Sequence, residues 1–260
     1  MQHRHGFTLV ELSIVLVILG LLVGGVLSGQ SLIRAAELRS ITTEKDKYAV
    51  ALHAFRDKYL ALPGDMPNAF DFWGTDCGTD DNTLGTGCNG NGDGVIVIYN
   101  GGALDSMEGL KVWEHLSRAG LIEGSFDGTG TADGDGFLAI TPVNSPTAKY
   151  QGGLWSIGDS ACEGCGSGPL YNKKPLQVTI GTQDTGAWGG DELNWLYPLR
   201  GLTLAEAWNL DKKSDDGLSA TGRTQGKNAQ GCEDQPNDPY GIAANGGDTS
   251  DLCIMAFILE

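Results

Sequence analysis

Between Phe7 and Leu27 runs a long apolar segment in which Glu11 is the only charge. As a helix at about 1.5 Å per residue, it covers roughly 30 Å, the thickness of a bilayer core. Gly20, Gly24 and Gly25 within it suit a membrane helix, where small residues permit close helix approach. Beyond Leu27 the pattern becomes amphipathic. Ile41, Tyr48, Leu52, Phe55, Tyr59 and Leu62 recur at spacings of three, four or seven, while Arg34, Glu37, Arg39, Glu44, Lys45, Asp46 and Lys47 occupy the other side. Pro63-Gly64 then stops the run. The pattern predicts one helix from about residue 8 to 61, roughly 80 Å long. Its first half faces lipid or other helices, and its second half presents an apolar stripe to a globular head.

The remainder is rich in turns, with short apolar runs between clusters of Gly, Asn, Asp and Ser. Strands are predicted at Val95–Tyr99, Gly136–Thr141, Leu154–Ile157, Leu176–Ile180 and Leu252–Leu259. Helices are predicted at Ser106–Ala119, capped by Gly120, and at Leu202–Leu210. No repeat of fixed period is present. The fold class is therefore α+β: a long N-terminal helix packed on an antiparallel sheet with many loops. Four segments follow: a leader (1–6), a membrane or filament-core helix segment (7–27), its amphipathic continuation (28–61) and a head (62–260).

The segment begins with Gly6-Phe7-Thr8-Leu9-Val10-Glu11 after the short polar leader Met1–Gly6, which carries His3, Arg4 and His5. An ionisable group inside a membrane segment costs on the order of 2.5–3.5 kcal/mol on insertion scales, so Glu11 needs a partner or a role. An ordinary signal anchor and a cleaved secretion signal, with small residues near Val26-Leu27-Ser28, are the plainer readings. The second would need an unusually long apolar region containing a glutamate. The stretch GFTLVELSIVLVILGLL resembles the processing and assembly signal of type IV prepilins and type II secretion pseudopilins. The resemblance implies cleavage after Gly6 by prepilin peptidase/methyltransferase and N-methylation of Phe7. It further implies that Glu11 neutralises the amino terminus of a neighbouring subunit and so sets the stagger between helices. The implied partners are other pilin or pseudopilin subunits and an inner-membrane assembly platform. The implied location is the bacterial inner membrane, crossed once, and afterwards a periplasmic or extracellular filament.

With 33 acidic against 17 basic residues, the chain carries a net charge of −16. Such a surface repels phosphates, and no nucleic acid partner is expected. All six cysteines follow the apolar segment: Cys77, Cys88, Cys162, Cys165, Cys232 and Cys253. An even number in an exported domain points to disulfides. Proximity favours Cys77–Cys88, Cys162–Cys165 and Cys232–Cys253, although other connectivities are possible. Cys162-Glu163-Gly164-Cys165 has the spacing of a redox pair or half a zinc site. No second such pair exists, and Glu163 would disfavour a thiolate, so a structural loop disulfide is the favoured reading.

Three acidic loops raise the question of metal. Asn89, Asn91 and Asp93, followed by Gly94, follow the first half of a calcium loop, where oxygen ligands alternate around a sharp turn. Asp76, Asp80, Asp81 and Glu108 are candidates to complete a calcium site there, because three oxygens do not fill the shell. Asp127, Asp133 and Asp135 form a second group. Asp211, Asp215 and Asp216 form a third, where Lys212 and Lys213 suggest local ion pairing. Solvated turns explain the first loop equally well, the second better, and the third better still. Major pseudopilins bind calcium in a loop of the head, which the resemblance extends to this chain without assigning ligands.

No nucleophile elbow, phosphate-binding glycine loop or histidine pair with metal-ligand spacing is present, so no enzymatic activity is expected. The leading expectation is a structural filament subunit of a type IV pilus or type II secretion pseudopilus. A head of about 200 residues suggests a minor or specialised one. The alternative is a filament-presented or secreted adhesin with calcium-stabilised loops, for which Ala187-Trp188-Gly189-Gly190 is a candidate contact.

Overall fold

The structure is a computed structural model. It describes residues 8–81, 87–96, 108–128, 131–133, 136–138, 141–150, 153–159, 176–181, 201–227, 240 and 252–259. Helix α1 spans Leu9–Tyr59 without interruption. It ends where Leu60 adopts a left-handed conformation (φ 56°) and returns its N–H to Arg56 O at 2.9 Å. The stop thus falls slightly before the predicted Pro63-Gly64. The turn at Gly64 is nevertheless obligatory: its φ is +88°, and a Cβ there would lie 2.4 Å from Glu108 O.

The predicted stripe is the buried one. Ile41, Tyr48, Leu52 and Phe55 are buried, Ala51 joins them, and Tyr59 and Leu62 pack at the margin. Ile41 and Phe55 are fully buried, each burial stabilising the fold by about 1.5–3 kcal/mol. Tyr48 meets Trp113 and Trp155 edge-on, with ring centroids at 4.9 and 5.4 Å.

Two polar positions depart from the expected outer face. Glu44, three residues after Ile41 and four before Tyr48, falls on the buried stripe. Its Oε2 accepts from Trp155 Nε1 at 2.9 Å and Lys149 N at 3.3 Å. Arg34 is turned inward as well. Its Nε and an Nη donate to Glu206 at 2.5 and 2.8 Å, and its guanidinium lies 4.5 Å from the Tyr150 ring centroid.

After α1 come the short helix α2 (Ala69–Trp73), a 3-10 turn at Gly74–Asp76, and helix α3 (Glu108–Arg118). Val95 and Ile96 are not in a strand: the Val95 N–H is taken by Asp93 Oδ1 at 2.8 Å in a local turn. Residues 97–99 of that predicted strand lie outside the described residues. Gly120 (φ +72°) closes α3 as expected, with Leu121 N bonded to Leu116 O at 3.0 Å.

Strands β1 (Thr131–Asp133) and β2 (Gly136–Leu138) form an antiparallel pair. A five-stranded antiparallel sheet follows from β3 (Leu154–Asp159), β4 (Leu176–Gly181), β5 (Leu202–Thr203), β6 (Thr224–Lys227) and β7 (Leu252–Ile258). β7 pairs with β4, β5 and β6, so the apolar C-terminal run predicted as a buried strand is the sheet's hub. Helix α4 (Leu204–Ser214) starts two residues later than predicted, where Thr203 and Glu206 form a capping box. The architecture is the expected α+β, pilin-like arrangement of a long helix against an antiparallel sheet.

Candidate functional site

The amino-terminal end of α1 is built by a local hydrogen-bond exchange. Thr8, extended at φ −77°, is the N-cap, and its Oγ1 accepts from Glu11 N at 3.3 Å. Glu11 Oε2 reciprocates, accepting from Thr8 N and Thr8 Oγ1, each at 2.8 Å. This satisfies donors that the first turn leaves open, and a carboxylate there also complements the helix dipole. The pattern Thr-x-x-Glu is the sequence signature of such a capping box.

From Leu9 to Leu27 every residue is exposed, and none is covered by the head. α1 is long and apolar enough there to cross a membrane. At Gly20, Gly24 and Gly25 nothing lies within 4 Å of a hypothetical Cβ, so those faces are open to an approaching helix. Residues 1–27 match the prokaryotic N-terminal methylation motif. The methylation motif covers the leader and the projecting half of α1, not the head. No curated protein and no solved structure matches the chain. Gly6 and Phe7, the expected processing positions, lie outside the described residues. The motif and the exposed apolar helix together fit membrane anchoring before assembly.

Where α1 leaves that exposed half, Arg34 clasps the head. Besides Glu206, it donates to Glu37 at 3.1 Å and to Tyr150 Oη at 2.5 Å, and the Tyr150 hydroxyl donates to Gly201 O at 2.8 Å. Partial burial pushes Glu206 upward, but Arg34 and the Thr203 cap together hold its carboxyl below the usual range. The clasp joins α1, α4 and the loop before β3, and nothing in the local sequence pattern announces it.

In the first acidic loop the centre is a residue the spacing did not suggest. Asp65 accepts from the backbone N–H groups of Gly92 at 2.7 Å and Asp93 at 3.1 Å through Oδ1, and of Gly94 at 2.9 Å through Oδ2. Burial pushes its carboxyl up, and the three N–H groups oppose that rise. The loop thus turns its donors inward onto an anion, as in backbone nests.

Asn91, Asp93 and Glu108 share this turn. Asn91 Oδ1 accepts from Asp93 N at 2.8 Å, Asp93 Oδ1 accepts from Val95 N at 2.8 Å, and Glu108 Oε1 accepts from Asn91 N at 3.2 Å. Asn89 points elsewhere, accepting from Phe70 N at 2.9 Å and donating to Asp80 at 3.0 Å. The buried Lys111 donates to Asn89 O at 2.7 Å, which sets a cationic side chain beside the loop.

Cys77 and Cys88 are joined, as proximity suggested, with Cα atoms 5.1 Å apart. His115 approaches both sulfurs, but they are bonded to one another. Its ring is engaged elsewhere: Nδ1 accepts from Gly64 N at 2.8 Å, which leaves Nε2–H to donate to Cys88 O at 2.9 Å. Cys253 is disulfide-bonded to a partner outside the described residues. Cys162, Cys165 and Cys232 also lie outside them, as does Asp135 of the second acidic group.

The third acidic group is the one whose carboxylates converge. Ligand oxygens of Asp211, Asp215 and Asp216 lie within 4.8 Å of one another. The expected pairing with Lys212 is not formed: its ammonium lies 4.4 Å from the Trp208 ring centroid.

Proposed function

We propose that this chain is a structural subunit of a type IV pilus or type II secretion pseudopilus, processed after Gly6 and assembled through its N-terminal helix. The observation that carries the reading is the division of one unbroken helix. The half that lies within the methylation motif is apolar and wholly exposed, and the half beyond it is the spine of the head's core. An apolar rod this long is stable only in lipid or among like helices, and filament growth exchanges the first for the second. The partners of this reading are prepilin peptidase/methyltransferase, neighbouring subunits and an inner-membrane assembly platform. The size of the head supports a minor or specialised subunit. The adhesin alternative rests on Ala187–Gly190, outside the described residues, and no observation here favours it.

The test is the amino-terminal sequence and mass of the mature protein from its native membrane. The expected product begins at N-methylated Phe7, and replacing Gly6 leaves the leader attached. A chain beginning near Gly29 would instead mean ordinary secretion and remove Glu11 from the mature molecule.

A further inference from the structure

We propose that Asn91-Gly92 is a latent deamidation site that Asp65 keeps closed, so that opening of this loop leaves a permanent chemical mark on the head. Residues 89–92 read Asn-Gly-Asn-Gly. Asparagine before glycine is the pair most open to self-modification, because no side chain shields the glycine nitrogen from the preceding carboxamide. That nitrogen attacks the asparagine Cγ to close a succinimide ring. The bond from Cγ to the side-chain nitrogen breaks, and the nitrogen leaves as ammonia with the proton that the backbone gave up to solvent. Water then opens the ring to aspartate or isoaspartate, and no other reactant is needed. The fold cannot avoid the hazard by changing the glycines. A Cβ at Gly90 would lie 2.3 Å from Gly64 O, and Gly92 has a φ of +77°.

At Asn91 both reacting groups are held. Gly92 N donates to Asp65 O at 3.0 Å and to Asp65 Oδ1 at 2.7 Å. A nitrogen whose proton is shared between two acceptors is a poor nucleophile, and a carboxylate at that distance opposes the negative charge that deprotonation would create. The Asn91 carboxamide is tied to Asp93 at both ends: Oδ1 accepts from Asp93 N at 2.8 Å, and Nδ2 donates to Asp93 Oδ2 at 3.2 Å. Asn91 and Gly92 are nevertheless exposed, so water reaches them, and hydrogen bonds are what close the site. Asn89-Gly90 is protected differently. Both residues are buried, and Gly90 N donates to Met66 O at 2.8 Å, which makes no use of the Asp65 side chain. Isoaspartate at position 91 would route the backbone through its Cβ, lengthening the chain ahead of Gly92 and shifting the N–H groups that grip Asp65. The clamp could not re-form, so the change runs one way.

The experiment incubates the full chain in detergent micelles at mildly alkaline pH and follows each Asn-Gly pair by peptide mass and isoaspartate content. In urea, Asn89 and Asn91 should deamidate alongside the chain's other two pairs, Asn100-Gly101 and Asn245-Gly246. In the folded wild type, Asn91 should react at least about tenfold more slowly than in urea. In folded Asp65→Ala, Asn91 should speed up by about tenfold or more, the loss expected when a hydrogen bond to a charged group is removed, while Asn89 stays slow. Should Asp65→Ala fail to fold by near-UV circular dichroism, Asp65→Asn decides the question. It keeps the volume and one acceptor but not the charge, and a smaller rise at Asn91 is expected. The proposal is overturned if Asn91 in the folded wild type reacts as fast as in urea, or if the folded Asp65 variant leaves it slow. An equal rise at Asn89 and Asn91 would overturn it too, because that would mean a general loosening of the head and not the loss of a clamp on Gly92.

Discussion

Lowering the pH should weaken the head through His115, and replacing His115 by Gln should isolate the effect. The imidazole is fully buried, accepts from Gly64 N, donates to Cys88 O, and stacks on Phe55 with an interplanar angle of 11°. Only the neutral ring can make both bonds, because Nδ1 must remain an acceptor. Burial is the main force that pushes its pKa down to about 4. The Cys88 carbonyl opposes the fall, and Lys111 and Arg118 add to it.

The folded pKa lies below the ordinary 6.5, so the unfolded chain takes up the proton first. Stability from this group is therefore complete above 6.5 and is lost as the pH falls toward 4. At about 1.4 kcal/mol per unit, the loss is about 3 kcal/mol. Glu114 acts in the opposite direction. Burial pushes it up to about 7, so its contribution weakens as the pH rises from its ordinary 4.5 toward 7. The wild-type profile thus masks both groups, and the difference between wild type and His115→Gln removes Glu114 from the comparison. In urea unfolding of the full chain in micelles, followed by tryptophan fluorescence, that difference should be about 3 kcal/mol at neutral pH and shrink to near zero by pH 4. A difference that stays constant across this range would refute the reasoning, because it would mean that the folded His115 titrates as freely as the unfolded one.

Glu44→Ala should destabilise the head by about 1–3 kcal/mol by stranding the Trp155 indole N–H, and the near-UV circular dichroism of Trp155 should change. No change in either would mean that the indole finds another acceptor. Gly64→Ala should cost about 2 kcal/mol or more, measured by thermal melting, because both its positive φ and the Glu108 carbonyl oppose a side chain. Reducing the Cys77–Cys88 bridge should lower stability by about 2–3 kcal/mol, with the largest gain in amide exchange expected between Cys77 and Asn91. Uniform exchange across the head after reduction would contradict that assignment.

What could be read from the sequence was what depends on neighbours along the chain. The stripe from Ile41 to Leu62, the capping boxes at Thr8–Glu11 and Thr203–Glu206 and the Gly120 stop all follow from spacings within one or two helical turns. The hub strand β7 announced itself because a strand buried on both faces is apolar nearly throughout, and the consecutive Met255, Ala256 and Phe257 are all buried. The polar interior was not legible. On α3, Glu108, Lys111, Glu114 and His115 look like a solvated face, yet all four are buried. Their partners include Asn91, Asn89 and Gly64, which come from the loop and turn preceding the helix. Asp65 carries no local signal for the same reason: the N–H groups that fix it are more than 25 residues away. In the acidic loops, the alternating spacing at Asn89–Asp93 is spent on hydrogen bonds within the turn. The Asp211 group gives no such local pattern and converges through tertiary packing.

The geometry at Glu11 also bears on how one carboxylate can serve two settings. In the single chain only Oε2 is used by the cap, accepting from both Thr8 donors. In the proposed filament the same residue must meet a neighbour's amino terminus, and the spare lone pairs of Oε1 permit this without opening the cap. The cap therefore does two things: it reduces the cost of carrying an acid in an apolar segment, and it fixes where that acid points. Processing after Gly6 would place a positive amine one residue before Thr8, at the end of a helix whose dipole is already positive. That amine is unfavourable within its own helix, so it gains the most from the carboxylate of another subunit. An alanine at position 11 would remove the intrachain cap and the interchain acceptor together. On the proposed role, Glu11→Asp separates the two: its shorter side chain keeps the charge but withdraws it from the reach that the helix stagger demands.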